Sequence, residues 1–229
     1  MQKYKSALYI DENHIFYEKV QKPENYLKII TDKIVELNKK QYKDLNDIIN
    51  TLNNSLEQEK IIFKLSSKEP KYNSGIITAG YKPKTNEILL FYGSKIEQAF
   101  KILDKEYDPE YFDIFLENIY DLLGHEIIHR MQYLKDKKKY IGVMSNENRI
   151  VYLSKPKEIM AHAWEIVQEF KLFGKNNEAI RMILKSNRDS ENLKWLLFSA
   201  RLKMYYNSFE PTSKTMKLLY KYIYEYTEE

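Results

Sequence analysis

Residues 111–134 constrain this chain more than any other stretch. At about 100° of rotation per residue, Leu116, Tyr120, Leu123, Ile127 and Met131 fall on one helical stripe. Phe115, Leu122 and Ile128 make the remaining faces largely apolar as well. A helix that is apolar on nearly every side has to be buried on nearly every side, so the spacing predicts a central helix about which the rest must pack. Such a helix accepts a polar side chain only for a reason, because an unpaired buried imidazole or carboxylate costs on the order of a few kcal/mol. Yet the segment contains GHEIIHRMQ, 124–132, which spends two of the four histidines of the chain within five residues. His125 and His129 lie one turn apart on the side opposite the apolar stripe, and Glu126 lies on their flank.

Two imidazoles stacked in this way can share one ion, with the glutamate close enough to reach a water held by that ion without being a ligand itself. The competing reading is a packed helix that happens to carry two histidines. Composition narrows the chemistry. The chain has no cysteine, which rules out a disulfide framework, a thiolate zinc site and a cysteine nucleophile; any metal must take imidazole and carboxylate ligands. A net charge of +4 from 37 basic and 33 acidic residues is mild. The basic run KDKKK, 135–139, contains an aspartate and no aromatics, which reads as a solvated loop and gives no expectation of a nucleic-acid partner. No signal-peptide core opens the sequence and no eighteen apolar residues run together, so the expectation is a cytoplasmic protein with no membrane partner, or a virion-associated one if a phage encodes it.

The 229 residues suffice for one domain, and no repeat or clear linker divides them. YKSALYI near the start and EKIIFKLSS, 59–67, read as strands. Helical spacing over 24–56 predicts two helices or one bent one, and GIITAGY and NEILLFYG flank the turn KPKTN as a hairpin. From residue 94 onward the pattern is helical except for a loop over 136–154, ending in helices over 191–206 and 213–229. The expected fold class is α+β, mostly helical, with a small β-sheet or hairpin packed on the motif helix and a C-terminal helical bundle. The expected parts are a strand and helix segment over 1–72, a core over 73–173 and C-terminal helices over 174–229.

HEIIH resembles the HExxH signature of the zincin metallopeptidases. Gln132 and Lys135 stand where the extended metzincin pattern has its glycine and third histidine, so that branch is excluded. The resemblance implies zinc held by His125, His129 and a third protein ligand, with water in the fourth position. Two candidates lie on SKPKEIMAHAWEIVQEF, 154–170, a predicted helix opening on Ser154 as cap with Pro156 in its first turn. They are Glu158 and His162. Gluzincins are similar in placing a glutamate ligand near the start of a later helix, and Glu158 follows His129 by 29 positions. ImmA/IrrE-type peptidases are similar in having alanine three positions after that glutamate, as Ala161 stands here. If Glu158 ligates, His162 is left to hydrogen-bond substrate, oxyanion or Glu158. Otherwise Glu158, His162, Glu165 and Glu169 form the polar stripe of an ordinary surface helix.

This minimal zincin-like reading, covering about residues 75–173, implies hydrolysis of a peptide or amide bond in a peptide or protein substrate, with Glu126 as general base toward a metal-activated water. Tyr152 and Tyr140 are further oxyanion candidates, and one hairpin strand, NEILLFYG or GIITAGY, is expected to pair with an extended substrate. His14 stands alone and reads as structural or exposed. Two alternatives remain: a non-catalytic protein, for example a virus-particle component, in which a metal staples two helices, and a narrow regulatory protease of one partner protein.

Overall fold

The computed structural model describes residues 20, 22–38, 45–65, 77–92, 109–137, 148–187 and 198–228. Among these it is mostly helical with one small mixed sheet, an α+β composition. YKSALYI, His14 and Tyr140 lie outside the described residues. The chain divides into two compact units, a sheet unit, Pro23–Lys138, and a helical unit, Met1–Lys22 with Lys139–Glu229.

The sheet unit opens with two separate helices, α1 (Glu24–Asn38) and α2 (Leu45–Leu56), which pack on each other. Pro23 starts α1, its carbonyl accepting from the N–H groups of Tyr26 and Leu27, and Leu27 and Ile30 are buried. A short 3-10 turn, Glu57–Glu59, leads through Lys60 in a left-handed conformation (φ 55°) into β1 (Ile61–Leu65). β2 (Ile77–Lys82) and β3 (Glu87–Tyr92) form the expected antiparallel hairpin. Asn86 closes its turn at φ 57°, a backbone region that asparagine tolerates better than most residues. β1 pairs parallel with β3 in the register Ile61 to Ile88, so the strand order is β1-β3-β2 with β3 central. This explains the run Ile88-Leu89-Leu90, buried without alternation, since a central strand covered on both faces has no polar side. The helix α3 (Pro109–Lys135) carries the motif and packs on β2, β3 and α1.

In the helical unit, α4 (Arg149–Leu153) occupies part of the stretch expected to be loop. The start of α5 (Pro156–Leu172) also differs from expectation. Ser154 does not cap it; the hydroxyl donates to the Val151 carbonyl and so closes α4, which Asn148 caps at its own start. Lys155 stands at the α5 cap position without a side-chain bond, and Pro156, whose fixed φ suits a first turn, begins the helix. α5 ends on Gly174 at φ 71°, where Gly174 N–H donates to Lys171 and Lys175 N–H to Phe170, the paired bonds of a Schellman motif. α6 (Asn177–Asn187), α7 (Ala200–Ser208) and α8 (Lys214–Thr227) complete the unit. α8 lies along α5 and α6, burying Leu219, Tyr222 and Ile223, while Trp164 and Phe170 fill the core from α5. No helix among the described residues is long and apolar enough to cross a membrane.

Candidate functional site

Every residue from Leu123 to Arg130 is buried, so the burial expected on all faces of the motif helix holds across the motif itself. Helical spacing stacks His125 and His129, with ring centroids 4.7 Å apart and planes at 78°. Their Nε2 atoms lie 3.0 Å from each other. Nδ1 of His129 is 3.0 Å from the Gln132 side-chain oxygen, one turn further along. An amide oxygen only accepts, so this contact puts the ring proton on Nδ1 and leaves the lone pair on Nε2, the atom turned toward His125. Glu126 is buried beside them.

The helix is fixed by Arg130, the residue after the second histidine. Its guanidinium donates to the carbonyls of Glu59 (2.9 Å), Lys60 (3.3 Å) and Asn86 (3.0 Å), and stands over the rings of Tyr26 and Tyr81. Two of those carbonyls belong to the left-handed residues at the ends of β1 and β3. One buried cation thus ties the motif helix to the residues that lead into β1 and β3.

Two further expected residues belong to the helical unit. Glu158 and His162 are four apart on α5 and share a face, and Glu165 continues that face. The stripe is not solvated: Glu158 and Glu165 are 4% and 2% exposed. His162 Nδ1 is 2.8 Å from Glu165 Oε2, and the same oxygen accepts from Arg201 Nε at 2.7 Å. Arg201 also donates to Glu169 Oε1 at 2.5 Å, and Glu169 accepts from the Ser199 hydroxyl. Burial disfavours the charge on Arg201, but Glu165 and Glu169 outweigh it and hold its pKa above the ordinary value. The His162 ring is edge-on to Tyr152 (6.1 Å) and to Tyr205 (5.8 Å). The Tyr205 hydroxyl is fully buried with no hydrogen-bond partner among the described residues. Burial, followed by the charges of Glu158 and Glu165, pushes its pKa well up.

His125 and His129 in the sheet unit, and Glu158, His162 and Glu165 in the helical unit, are each of a residue type that can ligate a metal ion. Gln132 is read in the sequence only as a motif mismatch and Glu165 only as part of a polar stripe, and neither Arg201 nor Tyr205 is singled out there. Gln132 and Glu165 each sit three positions after a histidine, a spacing that puts them on its face and was available as a signal. Arg201, 32 positions beyond Glu169, had no local signal at all. Comparison with family models, curated proteins and solved structures returned no match.

Proposed function

We propose that this protein is a zinc-dependent metallopeptidase whose ion is held by His125, His129 and Glu158. The observation that carries the reading is the pair of imidazoles on α3, Nε2 facing Nε2 at 3.0 Å with the far nitrogen of His129 tied to Gln132. Two nitrogens bound at about 2.0–2.1 Å to a tetrahedral zinc lie about 3.3 Å apart, close to that separation. Ligating histidines characteristically donate their other N–H to an acceptor such as the one Gln132 supplies. Glu158 would supply the carboxylate, the ligand type left to a cysteine-free chain beside its imidazoles.

A zinc ion held by these residues would make a bound water acidic enough to supply a nucleophile near neutral pH. Glu126 would take up the proton of the attacking water as the water oxygen bonds to the substrate carbonyl carbon, and would return it to the departing amine as the C–N bond breaks. His162 steadies the reacting oxygen or a neighbouring group. Among the two hairpin strands, only β2 suits the substrate: β3 is paired on both edges, by β1 and by β2, whereas the outer edge of β2 is unpaired among the described residues. An extended peptide adding to that edge would pair with β2 through backbone hydrogen bonds.

The separation of 3.0 Å also suits an imidazole–imidazole hydrogen bond in a metal-free packed helix. Metal analysis after dialysis against zinc separates the two readings. The expected result is one zinc per chain, lost on replacing His125 and His129 with alanine. Glu126→Gln should keep the zinc and lower hydrolysis of a peptide library about a hundredfold or more. A wild-type chain that takes up no zinc ends the metallopeptidase reading, and a zinc-loaded chain indifferent to Glu126→Gln reduces the metal to a staple.

A further inference from the structure

We propose that Tyr205 is a positioning residue for Glu158, its hydroxyl donating a hydrogen bond to that carboxylate when Glu158 ligates a metal ion. The inference rests on the metallopeptidase reading and uses residues of the helical unit alone. The register of α7 against α5 places the two side chains. Arg201 Nε and Nη1 reach Glu165 and Glu169, and one turn further along α7 the Tyr205 ring stands edge-on to His162 at 5.8 Å. The two helices therefore run antiparallel along this face, since advancing from 201 to 205 moves the contact from 165 and 169 back to 162. The next position back on the same face of α5 is Glu158. Its charge also acts on the Tyr205 hydroxyl more strongly than that of Glu165 does.

Each group supplies what the other requires. The Tyr205 hydroxyl is buried and has no hydrogen-bond partner among the described residues, so it is a donor shut away from water. Glu158, at 4% exposure, has little water of its own. A carboxylate that turns one oxygen to a cation keeps a second oxygen that needs a donor, and ligating carboxylates are as a rule hydrogen-bonded by the residues behind them. Arg201 is engaged by Glu165 and Glu169, and His162 Nδ1 faces Glu165. Tyr205 is then the donor that α7 brings to the Glu158 end of the face.

Zinc affinity of the full-length chain, measured by competition with a chromophoric chelator, tests the inference. Tyr205→Phe, which keeps the ring and removes only the hydroxyl, should weaken binding about tenfold. In a Glu158→Ala background the same change should alter affinity by less than about twofold, because the acceptor is gone, whereas a merely structural hydroxyl would cost the same in both. An affinity of Tyr205→Phe within about twofold of wild type overturns the inference, as does a tenfold loss that persists without Glu158. Should Glu158→Ala bind no zinc, Tyr205→Phe must also shift the visible absorption bands of the cobalt-loaded chain, and an unshifted spectrum overturns the inference. A wild type that takes up no zinc ends the metallopeptidase reading and the inference with it; zinc uptake indifferent to Tyr205→Phe ends the inference alone.

Discussion

Gln132 and Tyr205 show how single side chains constrain this protein. Gln132 is 2% exposed and its oxygen holds Nδ1 of His129, so its replacement changes a histidine it never covers. If the chain binds zinc as proposed, Gln132→Leu is expected to leave the helix intact and weaken that binding about tenfold, read by competition with a chromophoric chelator; undiminished affinity would remove the residue from the site. Tyr205 offers the reverse case. Its hydroxyl is buried without a partner among the described residues, a situation that costs about 1–3 kcal/mol. Tyr205→Phe, which keeps the ring against Phe209 and His162, should raise the denaturant midpoint. A lower midpoint would mean that the hydroxyl has a partner in solution. Neither residue stands out in the sequence, where one reads as a motif mismatch and the other as one of twenty tyrosines.

Elements are set by their ends and by what crosses between them. α3 was legible because its periodicity lies within the helix: the expected span 111–134 and the observed Pro109–Lys135 nearly coincide. What holds it was not legible, since Arg130 reaches three carbonyls supplied by residues 59, 60 and 86, which only the folded backbone brings together. Arg130→Met is expected to cost about 3 kcal/mol or more by leaving those carbonyls short of donors, measured by urea unfolding. A loss below about 1 kcal/mol would show that water replaces the guanidinium. The end of α5 gives a cleaner backbone test. Gly174→Ala meets no atom within 4 Å, so its expected cost of about 1 kcal/mol comes from φ 71° alone. The misread start of α5 has a related cause: Ser154 reads as a cap in sequence, and that it closes a preceding helix instead depends on the short α4.

For the whole molecule, tyrosine burial couples stability to alkaline pH. Burial is the largest cause of the raised pKa at Tyr26, Tyr81, Tyr120 and Tyr205. A tyrosine whose folded pKa exceeds its unfolded value of 10.0 keeps its proton in the native state after the unfolded chain has released it. Its stabilising share is complete below pH 10.0 and is lost as pH climbs through the folded value. Unfolding free energy should therefore fall as pH rises above 10.0, chiefly through the fully buried Tyr205. Tyr205→Phe should flatten that slope; an unchanged slope would show that Tyr205 ionises in the folded protein as it does in the unfolded one.

The sequence by itself determined the motif helix, the hairpin and the adjacency of His125, Glu126 and His129, because each depends on residues a few positions apart whose relative directions the local backbone fixes. Tertiary structure alone decided that β3 is the central strand, since its pairing with β1 joins segments separated by a hairpin and a further stretch of chain. It also decided that the acidic stripe of α5 is buried against Arg201 rather than solvated. The environment of a charge is set by what packs against it, and no periodicity along one helix specifies a cation arriving from another.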